Sequence, residues 1–454
     1  MIRYSRAIRY SHAIRYSNAI RLSHAIRSGG RHVLTLATAL LIIAAWSTAA
    51  PAQMTEFQLP PGQQSGGSLR FGPGYSRIGD EDFISFNIEP ELAFGKIGVG
   101  LSIPLLISTD TGQIRKIDWD SSRDYVRLIR YLRYGVKRDP IYARVGELSN
   151  TLFGHGFVVY YYNNALDDNY PKRGLQLDLD FGKFGFESLI GNLGRAELYG
   201  GRGYIRPLRF VKAPLPILQN FTVGLTYITD RDPVLTEPLS IFGFDVEQPL
   251  LHNDMADLYL YFDWSSITDW DEREYGSGSA YGVATDIRGI AGLFALGAKF
   301  ELRNLGKAFT SSLIGPLYDV NKVDILWDLQ FQDKTKGWYG EVAGSIIGKI
   351  SIRGSYFDTG ESVLGDQFIL HLDGTNVVPV VSAQAYFVKQ NIKEGGDLFK
   401  LDENAFTIAE VGYKPYPFMT VLMRYEWSYV IDDVTGQYVT QKRVEPRVEF
   451  CFGW

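Results

Sequence analysis

Residues 83–105 read FISFNIEPELAFGKIGVGLSIPL, and their phase decides the fold. One face takes Ile84, Phe86, Ile88, Leu92 and Phe94, and the other takes Ser85, Asn87, Glu89, Glu91 and Ala93. After Gly95-Lys96 the alternation resumes, with Ile97, Val99, Leu101, Ile103 and Leu105 against Gly98, Gly100, Ser102 and Pro104. A period of two is the signature of a strand. Gly followed by a polar residue supplies the positive φ that opens a two-residue type II′ turn. The stretch therefore reads as a β-hairpin with arms of about nine to twelve residues, where strands of soluble proteins run to about five or six.

The same pattern recurs along the chain. Leu175, Leu177, Leu179 and Phe181 oppose Gln176, Asp178 and Asp180; Phe221, Val223, Leu225 and Tyr227 oppose Thr222, Gly224 and Thr226. Leu258, Leu260, Phe262 and Trp264 oppose Tyr259, Tyr261 and Asp263; Met419 through Tyr429 does the same against Thr420, Arg424, Glu426 and Ser428. Gly182-Lys183 and Gly348-Lys349 repeat the turn, and Lys414 to Pro417 and Asp373 to Thr375 are further tight candidates. Between them lie long polar stretches: 108–122, 150–172, 265–279, 304–336, 359–367 and 391–404. A soluble sandwich alternates too. Long strands, aromatics at strand ends, and short turns alternating with long loops point instead to a closed transmembrane barrel.

Composition agrees. Residues 1–32 carry seven Arg and no acid, the apolar run VLTLATALLIIAAW follows at 33–46, and Ala50-Pro51-Ala52 comes next. This order is that of a secretory signal peptide with cleavage after Ala52. The Ala-Ile-Arg-Tyr-Ser-His repeat inside it reads as a low-complexity expansion or an upstream start. Of 46 Lys and Arg, seven fall in residues 1–52, which leaves 39 against 51 Asp and Glu, a net charge of −12. That sign argues against nucleic acid as a partner. The one cysteine, Cys451, excludes an internal disulfide, and no cofactor or metal cluster is expected.

The chain closes on Val444, Pro446, Val448, Phe450, Phe452 and Trp454, alternating with Glu445, Arg447, Glu449, Cys451 and Gly453. An alternating strand that ends on an aromatic resembles the C-terminal signature of bacterial outer-membrane β-barrels of the porin-like class. The resemblance is architectural and spans residues 67–454, with 53–66 as a short periplasmic lead and no subfamily singled out. It implies an all-β, antiparallel, up-and-down transmembrane barrel with short periplasmic turns and long extracellular loops. Both termini on one side make the strand number even: eighteen to twenty, with sixteen at the low extreme, provided 322–336 is loop. It also implies outer-membrane lipid, lipopolysaccharide and the barrel-assembly machinery as partners, Phe450, Phe452 and Trp454 being the assembly signal, with a homo-oligomer as one option.

The segment richest in chemistry is 123–180. An Arg/Tyr series includes Arg127, Arg130, Arg133, Tyr142 and Arg144; then come His155, Tyr160-Tyr161-Tyr162, Asn163, Asn164, Asp167, Asp168 and Asp178. In a porin, a long loop folded into the lumen faces a basic wall, and the field between them orients polar solutes. On that pattern 150–172 is the loop and the arginines are the wall. The competing reading is a plugged lumen whose charges only neutralise one another. The spacing of Arg127, Arg130 and Arg133 fits a helical face better than a strand, whereas Tyr142 and Arg144 point inward. His155 is the one candidate for a barrel-embedded hydrolase, against a structural hydrogen-bonding role. Asp230 and Asp232, with Asp432 and Asp433, suggest a divalent cation or solvated loops. The expectation is a non-enzymatic channel for passive diffusion of small polar solutes, with a closed adhesin or scaffold barrel as the alternative.

Overall fold

The computed structural model describes residues 65–452, apart from 117–118, 120–124, 126–127, 138, 167–171, 212–215, 236, 254, 270–274, 291–292, 347–349, 375–379 and 432–437. The chain runs β1 (Ser65–Ile78), β2 (Glu81–Phe94), β3 (Ile97–Leu101), β4 (Ile103–Ser108), β5 (Ile129–Tyr134), β6 (Ile141–Gly146) and β7 (Gly174–Asp180). Next come β8 (Phe184–Ile190), β9 (Leu198–Ile205), β10 (Thr222–Asp230), β11 (Leu239–His252), β12 (Ala256–Asp269), β13 (Ser277–Ile290) and β14 (Phe294–Leu305). Helix α1 (Tyr318–Leu329) precedes β15 (Thr335–Ile346), β16 (Ile350–Asp358), β17 (Asp366–Asp373), β18 (Val381–Ile392), β19 (Ala405–Tyr416), β20 (Met419–Ile431) and β21 (Tyr438–Phe452).

All pairings are antiparallel between chain neighbours, and β1 also pairs with β21, from Gly67↔Phe452 to Ile78↔Gln441. The sheet is a closed ring. β3 and β4 both pair with β2 on either side of Ser102, so they form one stave and the barrel has twenty. That is the upper end of the expected range, and sixteen is wrong. Both ends of the described barrel, Ser65 and Phe452, lie at the rim with short turns, as the parity argument requires.

The side chains follow the alternation. Ile84, Phe86 and Ile88 stand outward at 46%, 40% and 39% exposure, while Ser85 points in at 4%. Leu225, Leu260, Phe300, Val342, Val421 and Met423 extend the exposed apolar band around the ring. A cylinder that is greasy outside and charged within is what lipid outside and water inside select. Gly95 (φ +57) and Gly182 (φ +80) open their turns in the left-handed region that glycine tolerates best. Gly348-Lys349 lies outside the described residues.

Three local expectations need correction. The stretch 265–279 is mostly strand: β12 runs to Asp269 and β13 starts at Ser277. Its Ser and Thr residues, polar enough for a loop, pair above the apolar band, as in Ser265↔Gly278. The last tight turn is Pro417-Phe418 rather than Lys414 to Pro417, because an irregularity after Tyr413 carries β19 to the pair Tyr416↔Met419. Of residues 322–336, expected as loop, 322–329 are the last two thirds of α1 and Thr335 already opens β15.

Among the described residues an apolar core sits inside the barrel, near the loop rim. Phe153, Phe157, Val159 and Tyr162 from 150–172 pack with Phe309, Ile314, Tyr318 and Leu329 from 306–334, and Leu189, Ile241 and Phe357 back them from the wall.

Candidate channel interior

Residues 150–166 enter the lumen as a folded hairpin. Thr151 and Tyr162 bridge its neck, and left-handed residues at Asn150, Gly154, Gly156 and Tyr161 turn it. A parallel bridge, Val159↔Ile314, joins it to 306–334, with Tyr160 N donating to Ile314 O at 3.0 Å and Ile314 N to Val158 O at 3.2 Å. The two loops thus form one plug.

The wall is shaped to receive it. Inward positions of β13 are Gly278, Ala280, Gly282 and Ala284, and a Cβ at Gly282 would fall 2.0 Å from Tyr261 Cζ. A Cβ at Gly278 would meet Phe309 Cε1 at 2.3 Å. Small residues on one strand therefore seat large rings from its neighbour and from the plug.

His155 stacks on Tyr261 with ring centroids 3.9 Å apart. Its Nδ1 lies 3.1 Å from Asp263 Oδ1 and its Nε2 3.1 Å from Glu247 Oε2. Burial alone lowers its pKa, but Asp263 and then Glu247 outweigh that and hold it at about 10. The imidazolium is a buried counter-ion, a geometry suited to holding the loop tip on the acidic wall. Lys299 donates to the His155 carbonyl from β14, and Glu187 accepts from Gly154 N at 2.9 Å. The tyrosine run spreads over three partners: Tyr160 to Ser355 (2.7 Å), Tyr161 to Glu341 (3.0 Å), Tyr162 to Asp319 (2.7 Å). Asn164 accepts from Leu148 N at 2.8 Å and donates to Gly191 O at 2.9 Å, closing the base of the loop. Asn163 turns back on Ala165 N. Asp167 and Asp168 lie outside the described residues.

Asp230 and Asp232 face an internal cation, where a bound metal was one expectation. Lys322 of α1 reaches Asp230 Oδ2 at 3.1 Å and also Asp232, and Lys172 reaches Asp319 Oδ1 at 2.9 Å. Among the described residues no carboxylate group has the clustering of a metal site. Burial works to raise the Asp232 carboxyl, but the Lys322 ammonium outweighs it and the pKa is lowered; burial, reinforced by Asp232, raises that of Glu197. Asp432 and Asp433 are outside the described residues.

The arginines sit elsewhere on the wall. Arg130 and Arg133 are in β5, so the helical spacing does not hold there; Arg127 is not described. A register shift between Gly100 and Leu101 turns both Arg130 and Tyr131 inward, where both bind Glu91. Arg133 donates to Gly135 O, and Arg144 donates from Nε to Glu147 O at 2.6 Å while lying 4.5 Å from the Tyr131 ring. Tyr142 is buried at 2% and Asp178 accepts from Gln176 at 2.8 Å. The loop tip therefore lies on β8 and β11–β16. Sequence reasoning passed over the residues that hold it: Glu247, Asp263, Lys299, Glu341 and Arg353. It also missed a second charge belt near the closing seam, with Arg447 to Glu89 at 3.0 Å, Arg424 to Glu410 at 2.7 Å and Arg70 to Glu449 at 3.2 Å. Charged residues in the polar phase of an alternating strand were the available signal.

No family model matches the chain, and no curated protein matches it. Among solved structures it is similar to the outer membrane protein OprD from Pseudomonas aeruginosa (11% identity, 89% of this chain and 98% of that one, TM-score 0.33). It is also similar to OccK2 from the same organism in complex with glucuronate (10%, 86% and 96%, 0.32) and to a BenF-like porin from Pseudomonas fluorescens Pf-5 (9%, 86% and 99%, 0.33). Likeness at that level is a resemblance in outline and carries no argument about solute or mechanism.

Proposed function

We propose that this chain is an outer-membrane channel for passive diffusion of small hydrophilic solutes, narrowed by the loop plug and delivered by a signal peptide ending at Ala52. The observation that carries the reading is solvent on the inward charges of a closed cylinder. Side chains of Glu247, Glu187 and Glu147 are 29%, 25% and 28% exposed although they point into the lumen. On this reading the water that reaches them lines a path beside the plug. The exposed apolar outer band supports the bilayer setting, since a free aqueous surface disfavours a patch of that size. Lipopolysaccharide and the assembly machinery remain part of this reading, as partners of the outer rim and of the closing strand. Planar-bilayer recording of refolded protein tests it: stable open steps with salt-dependent selectivity are expected, and silence in every salt and voltage overturns it.

The apolar seal between the two loops favours a second reading, a closed barrel acting as scaffold or adhesin. The same recording separates the two. A catalytic role for His155 has less support, because both its ring nitrogens are engaged by carboxylates.

A further inference from the structure

The short-turn rim departs from its pattern once. Its other crossings take two to seven residues, but β9 and β10 are joined by sixteen, 206–221. The cause lies in the sheet. β10 pairs with β11 only from Thr222↔Glu247, so residues 248–252 of β11 run on past it with one edge open. The 3-10 turn Pro216–Asn220 lies beside that edge, and Gln248 Nε2 donates to Ile217 O at 3.5 Å. An uncovered edge invites association, and covering it is a known remedy.

The cover carries more than the edge requires. Phe210 and Val211 are 59% and 60% exposed, next to Phe181 and Phe184 at 55% and 49%. Phe184 pairs with outward Ile205, so this apolar surface continues the barrel's outer band at its lower limit. Lys183 Nζ lies 5.1 Å from the Phe210 ring centroid. Arg209 donates to Gly182 O at 2.7 Å and to Asn220 Oδ1. Residues 205–211 and 216–221 contain no acid, and among the described residues here Arg206 is the cation that takes a carboxylate, Asp180 at 2.8 Å. Exposed aromatics beneath unneutralised cations are what a headgroup layer selects.

We propose that this rim is an interfacial anchor for anionic phospholipid of the inner-facing leaflet, with Lys183 and Arg209 taking the headgroup phosphate and Phe181, Phe184, Phe210 and Val211 seated at the acyl boundary. The proposal rests on the membrane reading above. A negative leaflet attracts such juxtamembrane cations, and the pull fades within a Debye length. A zwitterionic surface lacks that net pull.

The test uses the full mature chain with Cys451→Ser, refolded into phosphatidylcholine vesicles with or without phosphatidylglycerol. A nitroxide on Val211→Cys is read for collision with oxygen and with a water-soluble nickel complex. Phosphatidylglycerol is expected to shield the label from nickel, and Lys183→Gln with Arg209→Gln to abolish that shielding. Nickel access that ignores phosphatidylglycerol, or a double variant that behaves as the parent, overturns the proposal. A second label on Leu225→Cys, mid-strand on β10, separates the two levels. If it is shielded while Val211 is not, only the anchor fails; if it too meets nickel, the membrane reading falls. Excess inorganic phosphate that erases the effect assigns a free anion instead of a lipid and also overturns the proposal. Lys183→Gln alone carries the test if the double variant refolds poorly.

Discussion

His155 shows how much one side chain decides here. Its folded pKa of about 10 lies above the 6.5 of an ordinary imidazole, so its stabilising contribution is complete below pH 6.5 and is lost as pH rises through about 10. The plug is therefore expected to sit tightest below pH 6.5, and open-channel noise and conductance to rise as pH climbs from 6.5 through about 10 in bilayer recordings. His155→Ala strands Asp263 as a buried, unpaired charge and leaves the part-exposed Glu247 without this partner. Breaking such a pair costs on the order of 3 kcal/mol, and a lower unfolding temperature in gel-shift assays, with conductance that no longer responds to alkaline pH, is the expected result. Asp232 works in the other direction. Its pKa is lowered, so its share of the α1 anchor is present above the usual carboxylate range and is lost as acid protonates it. Lys322→Met removes the cation that Asp230 and Asp232 share. It is expected to release α1 at a cost of ~3 kcal/mol, seen as faster proteolysis within 306–334.

At the scale of elements, β13 and the turns assign opposite meanings to glycine. Gly282 lies under the Tyr261 ring, where a Cβ would come within 2.0 Å, so Gly282→Leu overpacks the wall. A loss of ~1–3 kcal/mol is expected, with Tyr261 and the stacked His155 displaced and the unfolding midpoint lowered. Gly95 has open space around its missing Cβ, and only its φ of +57 resists a side chain. Gly95→Ala should cost ~1 kcal/mol through the backbone alone and leave conductance unchanged. The two glycines look alike in sequence. Gly95 was legible because its neighbour Lys96 and the flanking alternation define a turn. Gly282 was not, because its reason is a ring on β12 that meets it only once the strands are in register.

At the scale of the whole molecule, the plug decides how wide the path is. Replacing residues 153–161 with a Gly-Ser linker is expected to raise single-channel conductance several-fold while the barrel keeps its heat-modifiable migration; unchanged conductance would show that the constriction lies elsewhere. The sequence by itself determined the β class, the closed ring and the face each strand turns outward, the even strand number coming only with the resemblance to outer-membrane barrels. Those follow from a period of two and from which solvent each face meets, and both are local properties read a few residues at a time. Only the tertiary structure decided that loop 150–172 crosses to β8 and β11–β16, that it shares an apolar core with α1, and that Asp230 and Asp232 meet Lys322 where the sequence left a divalent cation and a solvated loop both open. Such contacts join residues 92 and 192 positions apart, as Lys322 to Asp230 and Arg353 to Tyr161 do. Nothing in local periodicity fixes which distant charge a buried side chain meets; ring closure and the packing of the lumen do.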